Sequence, residues 1–194
     1  NGAAITRGSS WLKDSLGKQV LPGTCKLVEN PHRVRTGASR LFDSEGLTTK
    51  KREILSKGVL NGWTLDLASA RKLGMRPTGN ASRSVSSNPS PTNWNIELSS
   101  PEDYCNDLLS EMRNGLLVTS LIGSTINPNT GDYSRGVSGF WVEDGQICYP
   151  VSEITIAGNL RDMLKKIILG NDAQRHLSYV VPSILVEDMT LAGS

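Results

Sequence analysis

Gly139-Phe140-Trp141-Val142-Glu143-Asp144-Gly145-Gln146-Ile147-Cys148-Tyr149 sets two apolar-rich runs on either side of an Asp-Gly pair. That pattern is a strong short-range sign of a β-hairpin, because the favoured two-residue turn needs positive φ at both central positions, which Asp tolerates and Gly adopts freely. Similar signals lie on both sides of it. Residues 116–122 read as a buried strand, residues 183–186 as another, and Trp94-Asn95-Ile96-Glu97-Leu98 alternates as a half-exposed strand should. Asn61-Gly62, flanked by Val59-Leu60 and Trp63-Thr64-Leu65, predicts a second hairpin. These strands come in runs, without regular strand–helix alternation. The expected fold is therefore α+β and mainly β: an antiparallel, curved, barrel-like sheet with two or three attached helices.

Three helices are predicted. Residues 100–114 carry Ser100 as a cap, Pro101 at the first helical position, Glu102 and Asp103 at the positive end, and Leu108, Leu109 and Met112 on one face before Gly115. Residues 159–169 carry Asn159 as a cap, Asp162 in the first turn, and a stripe of Leu160, Met163, Leu164, Ile167 and Ile168. Lys165 and Lys166 suit the C-terminal end of that helix, and Gly170 stops it. A short helix over 66–73 precedes Gly74. Residues 77–93 are nearly all turn formers and predict a long flexible loop inside one β-rich domain spanning 1–194.

Composition bounds the function. The 194 residues are enough for one domain with a real core. A net charge of +2 with no Lys/Arg stripe offers no footprint for nucleic acid, and no apolar run is long enough to span a membrane. The 19 glycines and 9 prolines favour many short elements. Three cysteines, Cys25, Cys105 and Cys148, far apart and without a Cys-x-x-Cys pair, point to a reducing compartment. The chain opens on Asn1 and reads as a piece of a longer polypeptide.

The chemistry-bearing patterns are sparse. Two histidines, His32 and His176, stand far apart, which argues against a zinc site built from this chain alone. Gly136-Val137-Ser138-Gly139 breaks the nucleophile-elbow spacing and precedes a strand. There is no glycine-rich phosphate loop. Two clusters remain. In Phe42-Asp43-Ser44-Glu45-Gly46 the two carboxylates are either a general acid/base pair or a solvated turn. Asn127-Pro128-Asn129-Thr130-Gly131-Asp132-Tyr133-Ser134-Arg135-Gly136 is either a wide hairpin loop closed by an Asp132–Arg135 contact or a binding loop in which Arg135 receives a carboxylate or a carbonyl.

Several of these stretches, in one order along the chain, carry a resemblance. Residues 42–46, Ser69-Ala70-Arg71-Lys72-Leu73-Gly74, residues 130–136, residues 139–145, Ile154-Thr155-Ile156-Ala157-Gly158-Asn159-Leu160 and Gly170-Asn171-Asp172 together resemble the C-terminal part of the TldD/PmbA peptidase family, its PmbA (TldE) branch in particular. The resemblance implies a bacterial, cytoplasmic metallopeptidase that matures or degrades small or unfolded peptides. It also implies an N-terminal α/β domain ahead of this β-rich one, and assembly with a TldD-like subunit as a heterodimer, or as a homodimer. In the TldD branch a helical His-Glu-x-x-x-His and a cysteine in a loop after Gly-Asn-Asp hold zinc. Here residues 173–180 after Gly170-Asn171-Asp172 contain no cysteine. The implied zinc therefore sits on the TldD-like partner, with no catalytic or metal residue and no cofactor on this chain.

Peptide substrate is then expected to add as an extended strand to an exposed sheet edge. Asp43, Glu45, Asp132, Tyr133 and Arg135 are the candidates for substrate or interface positions. Two other readings compete: a non-catalytic peptide-binding or interaction module, and a self-sufficient hydrolase using Cys148 or His176.

Overall fold

A computed structural model describes residues 1–101 and 103–193. The chain opens with α1 (Gly2–Thr6) and, after a long irregular stretch, lays down β1 (Lys26–Glu29), β2 (Arg52–Ser56) and β3 (Val59–Leu60). Next come α2 (Leu67–Leu73), a small ribbon of β4 (Ala81–Ser82) and β5 (Ser90–Pro91), then β6 (Ile96–Ser99), β7 (Tyr104–Cys105) and α3 (Leu108–Met112). A meander of long strands follows: β8 (Gly115–Ile126), β9 (Asp132–Glu143) and β10 (Gln146–Asn159). The rest is α4 (Leu160–Met163), a 3-10 turn (Leu164–Lys166), β11 (Ile167–Gly170), β12 (Tyr179–Val180), β13 (Ile184–Val186) and β14 (Thr190–Ala192). No helix among the described residues is long and apolar enough to cross a membrane.

The strands form four sheets among the described residues: β12-β6-β1-β2-β3, β14-β10-β9-β8, β13-β11-β7 and the β4-β5 ribbon. The α+β, mainly antiparallel class holds. No sheet closes into a barrel, because the chain leaves β10 through α4 and enters a different sheet at β11. The core gathers Leu21, Cys25, Ile54, Leu55, Leu60, Trp63, Leu65, Ala70, Ile167 and Leu169, so it joins the first sheet, α2 and the β11 sheet. Burial of such aliphatic side chains is the main favourable term holding these layers together.

The Asp144-Gly145 hairpin forms as read, with both residues at positive φ and Gln146 opposite Glu143. The Asn61-Gly62 pair does not turn the chain. The hairpin joining β2 to β3 turns at Lys57-Gly58, at φ 49 and 72, with Ser56 opposite Val59. Gly58 is required there: a Cβ at this position would lie 2.2 Å from the carbonyl oxygen of Leu21.

Of the helices, 66–73 stands as read. Asp66 caps Leu67–Leu73 by accepting from the Ser69 N–H, and Gly74 ends it at φ 63. The 100–114 helix shrinks to the five residues of α3, capped by Asp107 instead of Ser100. Its N-terminal half is drawn into a sheet, where Tyr104 and Cys105 pair in parallel with Leu169 and Gly170. Glu102, read as part of that helix, lies outside the described residues. In 159–169 the Asn159 cap is present, its Oδ1 accepting the Arg161 N–H at 3.0 Å, yet the helix lasts only to Met163. Ile167-Ile168 then enter β11; adjacent β-branched residues suit a pleated surface better than a helix.

Residues 116–122 do form a strand, within β8, but an exposed one rather than a buried one: Leu121 and Ile122 are 46% and 61% exposed. The 77–93 stretch carries the β4-β5 ribbon, anchored by buried Asn80 and Ala81, with residues 83–88 at its exposed tip.

Candidate functional site

Three places carry polar groups or open backbone that chemistry could use: the floor beneath residues 42–46, the loop leading into β9, and the outer edge of β8.

Asp43 is 4% exposed and is neither a solvated turn residue nor half of a proton-relay pair. Its Oδ1 accepts the N–H groups of Glu45 and Leu47, both at 2.9 Å, and its Oδ2 accepts the N–H of Ala81 at 2.9 Å. Glu45 turns away from it, and its Oε2 accepts the N–H of Leu67 at 2.8 Å, one of the free donors at the start of α2. These two carboxylates stitch the loop to β4 and to α2.

Under them lies a network that the sequence did not flag. Glu29 is 1% exposed; its Oε2 accepts from Arg52 Nε at 2.6 Å and its Oε1 from Asn80 Nδ2 at 2.8 Å and the Trp94 N–H at 2.6 Å. Arg52 extends it to the Trp63 carbonyl and to the Thr64 hydroxyl, which donates to Asn93 Oδ1. In sequence Arg52 closes a basic run and Glu29 sits in a short strand, so only the β1-β2 pairing, with Glu29 opposite Arg52, reveals the partnership.

In the second cluster the expected Asp132–Arg135 contact is not made. Asp132 accepts from the Thr130 hydroxyl at 2.6 Å and from Asn159 Nδ2 at 2.9 Å, and these hydrogen bonds hold its carboxyl below the usual aspartate range. They tie the loop between β8 and β9 to the end of β10. Arg135 is half-buried in β9 opposite Ile156, with an Nε that has no hydrogen-bond partner. Tyr133 is half-buried and pairs with Ile126 and Gly158. No hydrogen bond or ion pair among the described residues joins Asp43 or Glu45 to Asp132, Tyr133 or Arg135. The five candidates thus form two separate groups.

Among the described residues no three His, Cys, Asp or Glu side chains converge as metal ligands would. His32 Nε2 lies 3.0 Å from the Thr49 hydroxyl, and His176 is exposed. Cys25 is buried, which pushes its thiol up and makes it a poor ligand; Cys105 is half-buried in β7 and Cys148 exposed in β10.

The third place is backbone. β8 is the outer strand of its sheet, twelve residues without a charged side chain or a proline. The opposite edge is covered by β14, and the edges of the first sheet, β3 and β12, are two residues each. Long, uncharged outer strands are templates for pairing with another chain.

Comparison with known proteins adds the context. The profile of the PmbA/TldA metallopeptidase C-terminal domain matches residues 1–193. Metalloprotease PmbA of Escherichia coli O157:H7 is 45% identical over 193 residues, 99% of this chain and 41% of the relative. The PmbA homologue of Haemophilus influenzae is also 45% identical, over 100% of this chain and 42% of the relative. This chain thus spans about two-fifths of the curated relatives it matches. Among solved structures, a DNA gyrase modulator candidate from Bacteroides thetaiotaomicron superposes with a TM-score of 0.87 at 31% identity, covering 100% of this chain and 42% of that one. TldE from Thermococcus kodakarensis shares the fold, with a TM-score of 0.85 at 22% identity over 100% of this chain and 45% of that one.

Proposed function

The chain belongs to the PmbA/TldD metallopeptidase family, and from that premise we propose that it is the β-rich C-terminal domain of a PmbA-like subunit that presents peptides for cleavage by a complex whose zinc is held by a TldD-like partner. The substrates are small or unfolded peptides, processed or degraded in the cytoplasm, and the working unit is a heterodimer with the TldD-like chain or a homodimer. The observation that carries this reading is the outer edge of β8. An extended peptide adding there binds through main-chain hydrogen bonds, which are indifferent to sequence and suit an enzyme that takes unfolded segments.

The reading that the metal lies on the partner is supported by the donor set described above, since no three ligand-type side chains converge among the described residues. The role of this chain is to bind and orient. β8 supplies backbone donors and acceptors, Leu121 and Ile122 supply apolar contact for alternate side chains of the peptide, and the two loop groups are cavity or interface positions.

The test is Ile122→Lys in the full-length subunit, assayed with its partner on an unstructured peptide. Ile122 is 61% exposed, so the change leaves the fold intact while placing a charge on the edge. Peptide turnover is expected to fall about tenfold, with KM rising. Unchanged turnover and KM would remove β8 from the peptide path.

A further inference from the structure

The outer face of the first sheet, away from the core, carries a trough of about 260 Å³ lined by alternate residues of β1 and β6. Lys26 stands opposite Ser99 and Val28 opposite Glu97, so the side chains of Lys26, Val28, Glu97 and Ser99 rise on one face of the sheet. Arg33 and Lys51 reach the same space from the flanking segments. Three cations therefore line the space against two acids, Glu97 in the lining and Glu53, which rises on the same face opposite Val28.

Their pairing state matters more than their number. Lys26 is ion-paired to Glu53, at a site where both side chains are partly exposed. Neither Lys51 nor Arg33 is within ion-pair distance of a carboxylate among the described residues, although Lys51 lies close enough to Glu53 to help hold that carboxyl below its ordinary value. Arg33 is nevertheless fixed: one guanidinium nitrogen donates to the Leu177 carbonyl at 2.9 Å and the other to the Arg175 carbonyl. A cation held in place before a ligand arrives loses little rotamer freedom on binding.

The floor is also unusual. Asn95 is 1% exposed and sits at φ 41, outside the region most residues adopt. Its Nδ2 donates to the Ser39 hydroxyl at 2.8 Å, while its Oδ1 is buried without a donor. Asn95 thus shapes the floor of the trough, with its Oδ1 shielded from solvent and offering no contact to an anion.

We propose that this trough binds the carboxylate of a peptide, carried at its C-terminus or on an acidic side chain. Lys51 and Arg33 supply the charge-assisted hydrogen bonds. Glu97 on the rim repels anions from one side and favours an orientation that turns the rest of the peptide, with its N–H groups, toward β6. The inference takes from the proposed function only that the carrier is a peptide.

Direct binding to the full chain tests it, by calorimetry or by amide shifts in NMR. The probes are trialanine as the free acid, trialanine amide, the amide of Ala-Glu-Ala acetylated at its N-terminus, and inorganic phosphate. Binding of trialanine but not of its amide assigns the C-terminal source; binding of the Glu-bearing amide assigns the side-chain source. Lys51→Ala, at an exposed position, is expected to weaken binding roughly threefold to fivefold, the range of a partly screened ion pair. Glu97→Gln is expected to tighten it. Equal binding of trialanine and its amide without binding of the Glu-bearing amide, phosphate binding as tightly as any peptide, or no effect of Lys51→Ala would overturn the proposal. Because the readout is binding, its failure leaves the peptidase reading standing, and loss of cleavage with binding intact counts against the peptidase reading alone.

Discussion

Arg52 Nε donates to Glu29 Oε2 at 2.6 Å across the β1-β2 pairing, and Glu29 is almost wholly shielded from water. This carboxylate accepts three hydrogen bonds inside the chain, from Arg52, Asn80 and the Trp94 N–H. A buried ion pair adds little to stability beyond what apolar side chains of the same volume would give, because both charges were desolvated to make it; breaking one half is another matter. Glu29→Ala strands the guanidinium and the Trp94 N–H. We expect a loss of about 3–5 kcal/mol in urea unfolding, part of which the double variant Glu29→Ala/Arg52→Met recovers. A double variant worse than the sum of the singles would contradict this account.

Asp43 makes a second prediction that separates a structural carboxylate from a catalytic one. Asp43→Ala removes the acceptor for three backbone N–H groups, those of Glu45, Leu47 and Ala81. The expected cost is about 2–4 kcal/mol, read as a lower urea midpoint at constant slope. A surface aspartate would change stability by only about 0.5 kcal/mol. Full stability combined with lost turnover would restore Asp43 as a proton-transfer group.

Asp172 gives a pH dependence. Its carboxylate accepts the Ser183 hydroxyl at 2.6 Å and the Ser183 N–H at 2.8 Å, and these bonds hold its pKa below the usual aspartate value. A depressed folded pKa means that the contact stabilises at pH above the unfolded value and fades as pH falls through the folded one. The window is therefore on the acid side of about pH 4. Because the group is mostly exposed, the contribution to global stability is small and screened. In an NMR titration Asp172 should titrate below the usual aspartate value, and Ser183→Ala should move it up. An unmoved midpoint would contradict the assignment.

Legibility in the sequence followed the range of the forces involved. Signals that are satisfied locally came through: Asp144-Gly145 needs only its own backbone, and Asp66 with Gly74 frames a helix whose caps lie within it. Signals that depend on distant partners did not. Tyr104 and Cys105 read as helical until β11 is there to pair with them, and Ile167-Ile168 read as a helix stripe until they are placed between β7 and β13. Leu116, Leu117 and Val118 have a core-like composition, yet β8 lies at a sheet edge, a matter of strand order that periodicity does not encode. For the candidate sites, the motifs drew attention to residues 42–46 and 127–136 but not to what their carboxylates do. Asp43 caps backbone, and Asp132 turns to Asn159 rather than to Arg135. Glu29 and Arg52 had no local mark at all.

The central claim, that this subunit handles peptide while its partner holds the metal, is tested most directly by one paired measurement on the full-length protein. Zinc content and cleavage of an unstructured peptide are measured for the purified subunit alone and after addition of a TldD-like chain. The account predicts substoichiometric zinc and no turnover alone, with cleavage appearing on mixing. One zinc per lone subunit together with turnover in the absence of any partner would contradict it.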